Sequence, residues 1–167
     1  MLFENALNES NKYYLNKNIA VIYKKPTPIQ VVRVDYPQRS KAKIVEAYYK
    51  TPSTTDYNGI YRGKYIDYEA KETNNFSFSF KHIAPHQINH LLQVDKHGGI
   101  AFIIIYFKRA NEVYLIDIKD FYHLYQLGNE GHQKSIKFTQ ISEIGKKVKI
   151  GYSPAIDYLK AVDELYF

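Results

Sequence analysis

The stretch that most narrows what this chain can fold into is an unbroken apolar run from Ile100 to Phe107, I-A-F-I-I-I-Y-F, entered from Gly98-Gly99. Runs this short and this rich in β-branched and aromatic residues read as strands, and a strand with no polar face must be covered on both sides. It is therefore expected to be the central buried strand of a sheet with helices on its faces, a mixed α/β arrangement.

The flanking segments supply those partners. A helix is expected over residues 3–15, where Phe3, Leu7 and Tyr14 fall near helical spacing, and a short strand over 19–23. Pro26 and Pro28 then stop regular pairing and stiffen the connection. Residues 29–36 read as a strand, 37–40 as a turn, and 41–50 as a returning strand or short helix. After the central stretch, Pro85 opens a helix running to Val94, which His97-Gly98-Gly99 ends. Residues 113–118 form another strand, Asp120 caps a helix over 121–127, and 128–131 make a loop. Residues 136–151 carry no clear periodicity. Ser153 is expected to cap, and Pro154 to begin, a last helix through Leu165.

At 167 residues the chain has room for one domain with a substantial core. It contains no Cys, which excludes disulfides, thiolate zinc sites and a Cys nucleophile. No N-terminal secretory pattern is visible, and the apolar run is too short to span a bilayer, so a cytoplasmic soluble protein is expected. The net charge of +6 favours a polyanionic partner. The 17 Tyr could stack on bases, but they also suit strands and carry little weight.

The chemistry concentrates in residues 53–73. In Y-I-D-Y-E-A-K the side chains of Tyr65, Asp67, Glu69 and Lys71 share one face of an extended strand, and Ile66, Tyr68 and Ala70 the other. Asp56 lies just before Asn58-Gly59, a dipeptide expected to turn the chain back and bring Asp56 toward Glu69 and Lys71. Two carboxylates can hold Mg²⁺, and an adjacent Lys can activate water or neutralise charge growing on a phosphate. A D-x-E-x-K strand is also what a solvated sheet face looks like. The ionisable and phenolic character of the whole face, and the Gly-containing turn beside it, favour the metal-dependent phosphodiesterase outline.

Two further groups stand out. Lys24, Lys25, Arg33, Arg39, Lys41, Lys43 and Lys50 set seven cations against Asp35 and Glu46 in and around residues 29–50. Such a hairpin suits nucleic acid, the alternative being an edge that Lys protects from aggregation. His86 and His90 share a helix face at the spacing of zinc peptidases, but Gln87 stands where the catalytic Glu would be, leaving a polar helix face as the simpler account.

Five segments taken together resemble the RecU Holliday-junction resolvases of the PD-(D/E)xK nuclease superfamily. They are Y-K-K-P-T-P (23–28), S-T-T-D-Y-N-G (53–59), Y-I-D-Y-E-A-K-E-T (65–73), H-Q-I-N-H (86–90) and G-Y-S-P-A-I-D-Y (151–158), in the family's order across nearly the whole chain. The resemblance implies a restriction-endonuclease-like mixed β-sheet core flanked by helices, a protruding basic stalk at about 29–50, and a single nuclease domain over 1–167. It implies a homodimeric, Mg²⁺-dependent endonuclease, with Mn²⁺ a substitute, that nicks two strands of a four-way DNA junction symmetrically in recombination and repair. By matching position, Asp56 and Glu69 become metal ligands, Thr54 and Gln87 complete the site, and Lys71 stabilises the transition state; Asp67 is kept as an orienting or secondary carboxylate. Lys24, Lys25, Arg33, Arg39, Lys41, Lys43, Arg62 and Lys64 are the cations expected on DNA. A recombinase or branch-migration helicase is an expected further partner, and a membrane is not. The chain starts close to its first helix, without the family's long basic N-terminal arm, which implies weaker DNA affinity, and its segment between Lys71 and Gln87 is slightly short. A non-catalytic DNA-binding or strand-annealing protein and a duplex-specific restriction-type nuclease are the competing functions.

Overall fold

A computed structural model describes residues 1–50 and 54–167; Ser53, with which the S-T-T-D-Y-N-G segment begins, lies outside the described residues. In chain order its elements are α1 (Phe3–Asn16), β1 (Ala20–Lys24), β2 (Ile29–Asp35), β3 (Lys43–Tyr49), β4 (Tyr57–Tyr61), β5 (Lys64–Thr73), β6 (Ser77–Ser79) and α2 (Pro85–Lys96). There follow β7 (Ile100–Phe107), β8 (Glu112–Asp117), α3 (Ile118–Glu130), β9 (Ser135–Lys137), α4 (Phe138–Ile144), β10 (Lys146–Ile150), β11 (Ile156–Asp157) and α5 (Tyr158–Tyr166).

The apolar run is the central strand, and all eight residues of β7 are buried. It lies fourth in a seven-stranded sheet of order β1-β4-β5-β7-β8-β10-β11. Its pleat divides the core. Ile100, Phe102, Ile104 and Tyr106 join one apolar cluster with α1 and α5, while Ala101, Ile103, Ile105 and Phe107 join a second with α2, α3 and α4. The β5–β7 pair is parallel and its neighbours pair antiparallel, so the sheet is mixed and flanked by helices on both faces, as the resemblance implied. A parallel pair needs a long crossover, which α2 supplies.

Three rings fix the register at the middle of the sheet. Tyr57, Tyr68 and Phe102 stand on β4, β5 and β7 in directly paired positions. Their rings stack at 4.7 and 4.8 Å with planes 4° and 9° apart. The buried hydroxyls are satisfied from α1: Asn11 donates to the Tyr68 hydroxyl at 3.3 Å and accepts from Tyr158 at 2.5 Å. Tyr abundance thus has a structural cause in the core, beyond strand propensity.

Several local expectations are corrected. Asn58-Gly59 lies inside β4 and does not turn the chain. A Cβ on Gly59 would stand 1.9 Å from the Val21 carbonyl oxygen, so glycine is required there by the close approach of β1. The turn falls at Arg62-Gly63, with φ of 49° and 76°, the left-handed pair that a two-residue hairpin demands. Residues 41–50 return as a strand after a single 3-10 turn at Arg39–Lys41. Helix α3 begins three residues early because Asp117, not Asp120, is its cap, its carboxylate accepting the Lys119 N–H at 2.9 Å. The helix also runs to Glu130, through most of the expected loop. Pro154 starts no helix; it follows a cis bond and precedes β11, and α5 starts at Tyr158. The unassigned 136–151 stretch resolves into the end of β9, α4 and β10.

The hairpin β2–β3 stands apart from this body. Its strands pair with each other in a separate two-stranded sheet, and every residue of both is exposed. The protruding basic stalk of the sequence reading has this form.

Candidate active site

Alternation on β5 sorts its side chains as the sequence suggested. Ile66 and Tyr68 enter the cluster under α1 and α5, while Asp67 and Glu69 point to the α2 face. Asp67 pairs with Ala101, Glu69 with Ile103 and Lys71 with Ile105, so the polar face of β5 lies directly beside the apolar one of β7. Both carboxyls are buried as a result, Glu69 at 1 % exposure and Asp67 at 0 %.

Three donors from three segments converge on Glu69. The Lys71 ammonium lies 2.6 Å from Oε1, the Gln87 amide donates to the same oxygen at 2.8 Å, and the Asp56 backbone N–H donates to Oε2 at 3.1 Å. Gln87 is positioned by the start of α2, where its own Oε1 accepts the Ala84 N–H at 3.0 Å. Burial pushes the Glu69 carboxyl up to about 7; Lys71 pulls it down, and the nearby Asp56 charge raises it again. Asp56 is half-buried at the mouth of β4, with Thr54 two residues before it. Beside them opens a groove of about 340 Å³ lined by Phe3, Glu4, Asp56, Lys71 and Glu72 among others.

This arrangement can hold a hard divalent cation. Its donors are carboxylate, hydroxyl and amide oxygens, the set that suits Mg²⁺ or Mn²⁺ and not zinc. Burial and the Asp56 charge both raise the Glu69 carboxyl, and a bound cation would lower it. Among the described residues no group of three or more His, Cys, Asp and Glu is placed to hold a metal, so any such site must draw on neutral oxygens as well.

Asp67 is differently placed. Its Oδ1 accepts the Thr55 hydroxyl, and its Oδ2 lies 3.0 Å from the Lys25 ammonium, 2.7 Å from the Tyr65 hydroxyl and 2.9 Å from His90 Nε2. Thr55, Tyr65 and His90 were not singled out for this role from the sequence. The spacing of His86 and His90 implied a shared polar helix face, and from it His90 reaches the Asp67 carboxyl. Glu4 was missed too; it borders the groove from the first turn of α1 and pairs with Lys24 at 2.5 Å.

The cations expected on DNA divide. Arg33, Arg39, Lys41 and Lys43 are exposed on the hairpin, and Lys64 is exposed at the start of β5. Lys25 turns inward to Asp67 and Lys24 is engaged by Glu4. Arg62 is held against the C-terminal helix, 3.2 Å from Asp163 and 4.1 Å over the Phe167 ring. Among the cations outside that set, Lys146 pairs with Glu164 and Lys147 with Glu112.

A family model for RecU, recombination protein U, matches residues 1–164. The chain belongs to the RecU family. It is 53% identical, over its whole length and 80% of the relative's, to a protein of Shouchella clausii (strain KSM-K16) named Holliday junction resolvase RecU. The protein of the same name in Geobacillus sp. (strain WCH70) is 52% identical, again over the whole chain and 84% of the relative. Among solved structures, Archaeoglobus fulgidus Hjc, a Holliday junction resolvase, matches with a TM-score of 0.49 and 14% identity, covering 86% of this chain and 91% of its own. No described helix is long and apolar enough to cross a membrane.

Proposed function

We propose that this RecU family member is a metal-dependent endonuclease that resolves Holliday junctions, built as one nuclease domain and working as a homodimer. The observation that carries the reading is the convergence of Lys71, Gln87 and the Asp56 backbone on the buried carboxyl of Glu69. Its membership among proteins named for junction resolution supplies the substrate.

Asp56 and Glu69 would hold Mg²⁺, with oxygens of Thr54 and Gln87 completing the set once the Gln87 amide, whose Oε1 accepts the Ala84 N–H and whose Nε2 donates to Glu69, turns over. When bound, the cation supplies a Lewis acid for the scissile phosphate and lowers the pKa of an attacking water. Lys71 holds its ammonium at the edge of the groove, where negative charge grows on the phosphate, and its contact with Glu69 fixes that position in advance. The wall of β7 behind Glu69 keeps bulk water off the carboxyl and strengthens each charge interaction there.

The hairpin supplies choice of substrate. Its seven-residue strands extend about 20 Å at roughly 3.3 Å per residue. Arg33, Arg39, Lys41 and Lys43 on it face solvent and can meet phosphates at the open centre of a junction. In a two-fold dimer, paired hairpins match the near two-fold symmetry of a junction and place one site on each of two opposed strands.

Incubating the protein with a mobile four-way junction, a duplex and single-stranded DNA, each in Mg²⁺ and in EDTA, tests the reading. Paired symmetric nicks are expected on the junction alone and with Mg²⁺ alone. Lys71→Ala should lose roughly 10²–10³-fold in cleavage and still bind the junction. Cleavage in EDTA, or near-normal cleavage by Glu69→Ala, would overturn the metal site. Nicking of duplex as fast as junction would make this a duplex nuclease, and binding without any cleavage an annealing protein.

A further inference from the structure

The four donors on Asp67 are Lys25, Thr55, Tyr65 and His90, and three of the segments that supply them, the Thr54–Asp56 stretch, β5 and α2, also carry a part of the site around Glu69. Thr55 sits between Thr54 and Asp56. Lys25 sits where β1 hands over to the hairpin, and His90 lies on α2 one turn beyond Gln87. With the proton on Nε2, His90 donates like the others, so Oδ2 takes three donors and Oδ1 one. A carboxylate offers about four acceptor positions, two on each oxygen; here Oδ2 is crowded by three donors, and Oδ1 keeps one position beside the Thr55 hydroxyl. Asp67 is completely buried, and the atoms around it are its partners.

Lys25 is attached to the site twice. Its side chain meets Asp67 and the Thr55 hydroxyl, each at 3.0 Å, and its backbone N–H donates to the Asp56 carbonyl at 2.7 Å. Immediately after it, Pro26 and Pro28 stiffen the entry to β2. The other leg of the hairpin is closed onto the first by the Lys50 N–H bond to the Pro28 carbonyl at 3.0 Å. The base of the hairpin and the Thr54–Asp56 connection are therefore parts of one hydrogen-bonded unit, and Asp67 is the group at which that unit meets α2.

We propose that Asp67 is a positioning residue that joins the hairpin base to the metal-holding loop through Lys25 and Thr55. By this link, displacement of the hairpin on a junction is felt at Asp56. The inference rests on the metal site proposed above and deepens it. Lys25 serves the link and not the DNA surface, since its ammonium points to the interior.

Removing a cation close to a cation-binding site should, on charge alone, tighten metal binding. A positioning role predicts the reverse sign, which makes Lys25→Met the decisive variant. Mn²⁺ binding is measured by calorimetry on the full chain without DNA, with melting temperature and junction affinity in EDTA measured alongside. Lys25→Met and Thr55→Val are each expected to weaken Mn²⁺ binding by roughly tenfold, the scale for groups that orient metal ligands. Combining Lys25→Met with Asp67→Asn should weaken it no further than Asp67→Asn alone, because both cut one link. Saturating Mn²⁺ should return cleavage by Lys25→Met to near the unmodified rate, with junction affinity in EDTA within about twofold, flat because Lys25 makes no phosphate contact. Unchanged or tighter Mn²⁺ binding by Lys25→Met overturns the proposal, as does a loss of junction affinity equal to the loss in Mn²⁺ affinity. If Asp67→Asn fails to fold, Thr55→Val, which keeps nearly the same shape, carries the test. Mn²⁺ binding that survives Glu69→Ala sinks the metal site itself; binding lost there but untouched by Lys25→Met sinks only the link.

Discussion

The central strand β7 and the hairpin β2–β3 are made of similar residues and meet opposite surroundings. Ile103 and its neighbours in β7 have no exposure, whereas Val32 is 54% exposed and Tyr49 84%. Apolar content does not decide burial; neighbours do. β7 has a strand on each side and helices on each face. The strands of the hairpin have only each other, and a lone two-stranded ribbon is marginal in water. Its row of exposed Val, Ile and Tyr is thus a surface that gains from contact with something else. The body of the protein packs the chemistry between layers, and the ribbon presents its side chains to what it touches.

The largest effect that could break this comparison is expected in the ring stack. Tyr68→Ala removes the middle ring and leaves Asn11 with a lost partner, at a cost of roughly 3–5 kcal/mol and a fall of about 10 °C or more in melting temperature. A small shift would mean that the register of β4, β5 and β7 is held elsewhere.

The hairpin should behave in the opposite way. Replacing residues 34–42 with a short Gly-Ser turn should move the melting temperature by no more than about 2 °C, since surface changes away from the core cost little. Junction affinity should nevertheless fall roughly tenfold or more, on the scale of a few lost phosphate contacts, and far further than duplex affinity. Equal losses on junction and duplex would reduce the hairpin to a general DNA-gripping edge.

The smallest change sharpens the same contrast. Arg39→Ala at the hairpin tip should lower the slope of log K against log salt for junction binding by about 0.9, one phosphate's share. Lys147→Ala, whose ammonium is already taken by Glu112, should leave the slope nearly unchanged. Equal slopes for both variants and the unmodified protein would remove the hairpin tip from the phosphate-binding surface.

What could be read from the sequence follows the range of the forces involved. β7 was legible because burial on both faces demands an unbroken apolar run. The Asp67, Glu69 and Lys71 face was legible because strand alternation is local. Asn58-Gly59 misled because its glycine answers to Val21, a residue brought near only by β1 pairing with β4. Asp120 looks like the cap because an apolar stripe begins at Phe121, but the cap depends on where β8 stops, at Asp117. The role of Asp67 was hidden for the same reason as that of Gly59. Tyr65 reaches it by strand alternation alone, but Lys25, Thr55 and His90 are scattered along the chain and meet it only when the sheet and α2 are assembled. Resemblance to a known family supplied Thr54 and Gln87, which no local pattern marks.

The parallel pairing of β5 with β7, the single one among the described residues, has a consequence for the order in which the molecule can be assembled. β4 and β5 are joined by the two-residue turn at Arg62-Gly63, so Asp56 and Glu69 are brought together by an almost local closure. β5 and β7 meet only after the chain has passed from Thr73 through α2 to Ile100, and closing that longer loop costs more entropy before any contact repays it. Loop closure alone therefore favours the two carboxylates meeting first, with Gln87, His90 and the apolar wall expected to arrive with the crossover. Until then the acid pair stands in water, where a divalent ion could already reach it; metal present during refolding should meet a half-built site before the finished one.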